Sequence, residues 1–243
     1  MTLLAALWIA SMPQLPSPAP PADLREQIVC APLARPAPPV AGLRLLGGYV
    51  HGRRMFGSGD AVIVNAGTLQ GVQTGQLYFV RRPINEYAVR PSKVNPIYGV
   101  HTAGWVTSVD AKDTMAVAIV THACDGVIAG DYLEPYVEPA LPTTALAGAP
   151  DFEHPGQIVL ADERRQMGYP GLVMVMNRGS EDGLRAGQGL TIYRPTLDGQ
   201  GPVIDVGRAT VLSAGAQNAL VRIDSAREPV NIGDLVAIHR ITQ

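Results

Sequence analysis

Apolar residues along this chain come in short runs, most of them bounded on at least one side by glycine, asparagine or aspartate. Ala61 to Val64, Leu77 to Val80, Trp105 to Val109, Met115 to Val120 and Tyr132 to Val137 form a first series. Leu172 to Met176, Leu190 to Tyr193, Ala209 to Leu212, Ala219 to Ile223 and Leu235 to Ile238 form a second. Short apolar-rich runs between turn residues predict strands. No stretch of ten or more residues carries a 3.6-residue apolar stripe, so no long helix is expected. The pattern predicts a mainly β protein.

The two series are copies. NAGTLQGVQTGQLYFVRRP, Asn65 to Pro83, returns without a gap 112 positions later as NRGSEDGLRAGQGLTIYRP, Asn177 to Pro195. The blocks starting at Gly104 and Gly207 align at an offset of 103, because the first copy carries a connection nine residues longer. A duplication read at this level sets the architecture before any other feature is weighed. It predicts two tandem small β-barrels of SH3-like size, repeat 1 over 44–137 and repeat 2 over 156–243. The Pro/Ala/Gly/Thr stretch 138–155 between them has the composition of a linker. Residues 23–43 are rich in proline, which removes backbone donors and favours extended conformations, so this leader is expected to be disordered or extended.

The residues shared by both copies are mostly turn formers: Asn65/Asn177, Gly67/Gly179, Gly71/Gly183, Gly75/Gly187, Gln76/Gln188, Arg82/Arg194 and Pro83/Pro195. Asn-x-Gly after a strand is a turn signal, since glycine accepts positive φ. Thr68 and Ser180 are expected to cap single helical turns over Leu69 to Val72 and Glu181 to Leu184. Val72 and Leu184 should plug the two barrels. The shared Arg and Pro read as turn and strand-end residues, and Gly130-Asp131 and Gly233-Asp234 mark entry into each last strand. A phosphate-cradling loop would need GxGxxG opening a long helix or GxxxxGK[ST], and neither occurs.

Composition adds limits. Hydrophobic residues make up 47% of the 243, enough for a real core, while aromatics at 5% leave aliphatic side chains to fill it. A net charge of −2 gives no electrostatic reason to expect nucleic acid or an anionic membrane surface as a partner. Residues 1–22 hold an apolar run, Leu3 to Ala10, that resembles a truncated secretory signal, although no Lys or Arg precedes it. An ordinary disordered N-terminus is the alternative. The run is far short of the about 20 residues needed to cross a bilayer, so no transmembrane helix is expected.

The glycine-rich signature, the later glycine re-entry at Gly104 and the closing Gly-Asp resemble repeats of bacterial cell-envelope proteins. They are similar to the repeats that accompany LysM modules in exported proteins, and to the C-terminal domain of the flagellar assembly protein T family. The resemblance covers about two thirds of the chain. It implies an exported, periplasmic, non-catalytic module that contacts an envelope protein or peptidoglycan. The chain has no LysM motif, so LysM specificity does not carry over.

No catalytic, cofactor-binding or metal-ligating set is signalled, and no cofactor is expected. His51, His101, His122, His154 and His239 are scattered without HxxxH or HExxH spacing. His122 and Cys124, two apart in a strand run, can share a face as a thiolate–imidazole pair, although copy two has Ser225 and Arg227 there. The acidic residues Asp162, Glu163, Glu181 and Asp182 have no acidic counterparts in copy one. A hydrolase with a site between the repeats would need His, Asp or Glu gathered from both copies. A PDZ-like reading of Gly183 to Gln188 would need a long helix beside the peptide groove. Cys30 and Cys124 can pair in an oxidising compartment, closing a loop of nearly 100 residues, or remain two thiols with Cys124 a small core residue.

Binding residues collect on exposed loops of rigid scaffolds, and Tyr and Arg are favoured in interfaces. The insertion between Pro83 and Gly104, with Tyr87, Arg90, Lys93 and Tyr98, is therefore the expected partner-contact loop of repeat 1. Deleting Ala88 to Pro96 should spare folding and weaken capture of partners from envelope extracts. An unchanged pull-down would discard this assignment.

Overall fold

A computed structural model describes residues 24–40, 42–50, 52–84, 97–142, 145–146, 148–162, 165–196 and 201–240. The chain enters through a short helix α1 (Leu24–Val29) and a strand β1 (Leu33–Arg35). Repeat 1 follows with β2 (Leu45–Gly48), β3 (Met55–Phe56), β4 (Ala61–Val64), β5 (Leu77–Pro83), β6 (Tyr98–Ala111), β7 (Ala116–Ala123), β8 (Val127–Ile128) and β9 (Tyr132–Pro135). Repeat 2 holds β10 (Ala149–Leu160), β11 (Met167–Gly168), β12 (Val173–Met176), β13 (Gly189–Pro195), β14 (Val203–Ala214), β15 (Ala219–Ala226), β16 (Val230–Asn231) and β17 (Leu235–Arg240). The protein is mainly β, and all pairings between named strands are antiparallel.

Both copies use one strand order. Repeat 2 closes as β10-β12-β15-β14-β13-β17, and repeat 1 runs β2-β4-β7-β6-β5-β9 with β1 added beside β6. The ends of the repeat 1 path meet through Leu45 N–H to Asp131 O and Gly130 N–H to Leu45 O, both 2.8 Å. Repeat 2 makes the same two bonds, Ile158 N–H to Asp234 O at 2.9 Å and Gly233 N–H to Ile158 O at 2.8 Å. Each repeat has its own aliphatic core, around Val62, Val80, Val106 and Val120 in the first and Ile158, Ile192, Val221 and Val236 in the second. Val72 and Leu184 are buried in these cores.

The shared residues hold the copies in shape. Asn65 Oδ1 accepts the Arg44 N–H at 2.7 Å and Asn177 Oδ1 that of Gln157 at 2.8 Å, stapling each first strand to the next. The predicted helical turns are 3-10 turns, Thr68–Gln70 and Ser180–Asp182, capped differently from the expectation. Thr68 and Ser180 do not cap. Gly67 and Gly179 occupy the cap position, and the Gln70 and Asp182 side chains accept their N–H groups at 2.9 and 3.0 Å.

Arg82 and Arg194 lie next to last in β5 and β13, at strand ends as expected, and each also makes an ion pair. Arg82 binds Asp131 through Nε and Nη2 at 2.8 and 3.0 Å, and Arg194 binds Asp234 at 2.7 and 2.8 Å. Both aspartate side chains are almost completely buried, at 1% and 3% exposure. Each also accepts a backbone N–H, from Ile128 and Asn231. The Gly-Asp of each last strand is thus half of a bidentate pair, which fixes orientation as well as charge.

Two boundaries change. The leader is not wholly extended, since Leu24 to Val29 is helical, while its extended part includes β1, which pairs with β6. The expected linker ends early, because β10 begins at Ala149 and pairs with β17 from Ala149↔Arg240 onward. Asp151 anchors that pairing. Burial pushes its carboxyl up, but the N–H of Glu153, the Arg240 guanidinium and His154 outweigh it and hold it at about 2.

Two shared glycines separate two physical demands. Gly67 has an ordinary φ of −137°, but a Cβ there would be driven into the Lys112 carbonyl. Gly71 has φ +83° and open space around it. Gly71→Ala should cost about 1 kcal/mol of stability from left-handed backbone alone. Gly67→Ala should cost about 3 kcal/mol, because backbone must move. Urea unfolding of both variants checks this, and equal costs would contradict it.

Candidate functional site

The leader lies in the seam between the repeats. Val29 packs on Phe79 and Trp105 of repeat 1, while Ile28 and Ala31 pack on Leu160, Val175, Leu212 and Leu220 of repeat 2. A helix wedged between two sheets must be apolar on both flanks, which explains adjacent Ile28 and Val29 in a six-residue helix. Pro32 follows, and β1 then pairs Leu33↔Val100 through Arg35↔Tyr98. Polar contacts fix the register. Arg25 lies over the Trp105 ring and donates to Glu138 and to Tyr136 Oη, Thr102 Oγ1 donates to Ala31 O at 3.1 Å, and Asn218 Nδ2 donates to Ala34 O at 3.2 Å.

A sulfur and imidazole cluster sits where α1 crosses β7. Cys30 and Cys124 form a disulfide with a Cα separation of 5.5 Å. Of the two states open to these cysteines, the structure holds the bridge. The His122 ring stacks on Trp105 with centroids 4.4 Å apart, and its Nε2 lies 3.0 Å from Glu26 Oε1.

The leader also roofs a row of polar groups on the outer face of repeat 1. Arg81 is buried, donates to Thr102 Oγ1 at 2.5 Å and pairs with Glu134 at 3.0 Å, while Arg35 of β1 reaches the same carboxylate at 2.6 Å. Burial pushes the Arg81 guanidinium down to about 10, with Glu134 opposing the fall and Arg35 adding to it. Burial and then Glu134 push the neighbouring Tyr132 phenol up to about 12.

A third group joins the repeats directly. His101 on β6 is buried, with Nδ1 2.8 Å from Asp162 Oδ1 of repeat 2 and Nε2 3.7 Å from Asp125 Oδ2. Beside it lies a cavity of about 170 Å³ between leader and repeat 2, lined by Gln27, Cys30, Asp162, Arg165 and Met174.

The residues singled out from the sequence divide accordingly. Tyr98 opens β6 opposite Arg35, whereas Tyr87, Arg90 and Lys93 lie outside the described residues, as do His51 and Glu163. His122 and Cys124 do meet, and Cys30 and Glu26 join them. Asp162 faces His101, while Asp182 pairs with Arg178 at 3.0 Å, so the acidic residues do not form one set. Sequence reasoning missed the gathering of His101 and Asp125 from one copy with Asp162 from the other. Their numbers are far apart, and nothing in local spacing links them. The described α-helix is six residues long, so the PDZ-like reading lacks its groove helix among the described residues. No described helix is long and apolar enough to cross a membrane. No protein-family model matches the chain, and no curated protein matches it at a significant level.

The bridge spans 94 positions, which the chain-entropy account values at a few kcal/mol. Cys30→Ser with Cys124→Ser should lower unfolding free energy by about 2 to 5 kcal/mol. It should also speed proteolysis between residues 24 and 35. Chemical denaturation with and without reductant, beside limited digestion, checks both, and a reductant-insensitive wild type would contradict the assignment.

Proposed function

We propose that this chain is a non-catalytic exported cell-envelope protein, acting as a binding or structural adaptor through two tandem SH3-like repeats. Its partner is an envelope protein or peptidoglycan. The observation that carries this reading is how the ionisable residues common to both copies are spent. Arg82 with Asp131, and Arg194 with Asp234, are consumed inside the scaffold, so what the duplication preserves is shape. The Cys30–Cys124 bridge supports export, because structural disulfides persist in oxidising compartments.

One observation favours a second reading. His101, Asp125 and Asp162 form the cross-copy cluster that an envelope hydrolase would require, next to a small cavity. The two readings separate in one experiment: incubation of purified protein with peptidoglycan sacculi, followed by sedimentation, analysis of released fragments and crosslinking in envelope fractions. An adaptor should co-sediment or crosslink without releasing fragments. Fragment release that is lost in His101→Ala would replace the adaptor reading with the hydrolase.

A further inference from the structure

The residues around the leader bridge form a second constellation once the sulfur–sulfur bond is set aside. Glu26 and Cys30 stand four apart, one helical turn, and the Cys30 N–H bonds to Glu26 O at 2.8 Å, so both side chains leave the same face. His122 lies on β7 and Cys124 just past its end, two residues on. The two Sγ atoms and a ring nitrogen of His122 all lie within 4.8 Å of one another. Glu26 Oε1 is 3.0 Å from His122 Nε2. All four residues are half-buried or at the rim of the seam, and Trp105 stacks on the imidazole and orients it. While the bridge is intact both sulfurs are used by each other, and this set binds nothing.

We propose that reduction of Cys30–Cys124 turns this cluster into a site for a zinc-class divalent cation, held by both thiolates and the His122 imidazole, with the Glu26 carboxylate bonded to that imidazole and orienting it. Two sulfurs and a nitrogen, completed to a tetrahedron by water, are a donor set suited to zinc and unsuited to magnesium or calcium. Metal–sulfur bonds of about 2.3 Å require donors about 3.5 to 4 Å apart. The sulfurs must therefore separate beyond bonding distance, which side-chain torsions supply across a Cα separation of 5.5 Å. The chemistry balances. A reductant such as a dithiol gives two electrons and two protons to the disulfide, becoming oxidised itself and leaving two thiols. The incoming cation then displaces both thiol protons. Copy two offers no such site, because Ser225 and Arg227 stand at the equivalent positions. The leader is thereby tied to repeat 1 in either redox state, by a covalent bond when oxidised and by a metal when reduced.

The test uses the full chain, oxidised or reduced with a phosphine under inert gas, titrated with Co²⁺ and then displaced with Zn²⁺. The reduced chain should bind one Co²⁺, with the visible bands of tetrahedral cobalt and thiolate-to-metal charge transfer, and the oxidised chain should bind none. Cys124→Ser should remove the charge-transfer band. His122→Gln and Glu26→Gln should each weaken Zn²⁺ binding by at least about tenfold, as even losses outside the ligand shell commonly do. Both retain the bridge when oxidised, so circular dichroism of that state confirms their fold before reduction. A reduced wild type that takes up no metal, folded or not, overturns the proposal. So does Zn²⁺ affinity unchanged in His122→Gln, or equal binding by the oxidised chain.

Discussion

Ile28 and Val29 are neighbours in sequence and face opposite repeats. Around this wedge the rest of the seam is arranged. With Val29 seated against Phe79 and Trp105, Cys30 comes within bonding range of Cys124 and Glu26 within hydrogen-bond range of His122. With Ile28 and Ala31 seated on Leu160 and Leu220, the β10 end of repeat 2 is held near Gly99 of β6, where a Cβ would press on Leu160 and Ile84. Hydrophobic contact alone is non-directional and would allow the helix to slide. The disulfide, the Thr102 bond to Ala31 O and the β1–β6 ladder remove that freedom.

The duplicated scaffold and the unduplicated seam follow different rules. Inside each repeat, a buried carboxylate must be neutralised or its charge becomes costly, and a guanidinium placed across the last strands does this twice over. Such pairs specify which strand ends meet. At the seam the copies diverge while keeping backbone geometry: Cys124 N–H bonds to Ala103 O as Arg227 N–H bonds to Val206 O, at 2.9 and 2.8 Å. One backbone position thus carries the leader's covalent partner in copy one and an exposed arginine in copy two. That difference lets a symmetric duplication hold a single leader.

Much of the scaffold was legible in the residues, because its determinants are local. Short apolar runs located the strands of both series, and Val72 and Leu184 were readable as core plugs from their place between turn glycines. The misreadings have a common cause. Arg82 and Arg194 do lie at strand ends, but their ion pairs were missed because Asp131 and Asp234 are 49 and 40 positions away. Thr68 and Ser180 looked like caps because they are good capping types, but a residue three positions on serves each glycine instead. The leader looked disordered or extended, and 138–155 looked like a linker, because proline and alanine are frequent in both. A strand partner supplied by β6 or β17 outweighs weak local preference.

By itself the sequence determined that the chain is mainly β, with two similar segments whose shared glycines sit at turns, since glycine, asparagine and short apolar runs act over a few neighbours. Only the tertiary structure decided that the leader is a wedge, that Cys30 meets Cys124 beside His122 and Glu26, and that His101 joins Asp162 across the copies. Those groups lie 61 to 96 positions apart along the chain. Proximity over such distances comes from how two folded sheets pack around six helical residues, and no local spacing encodes it.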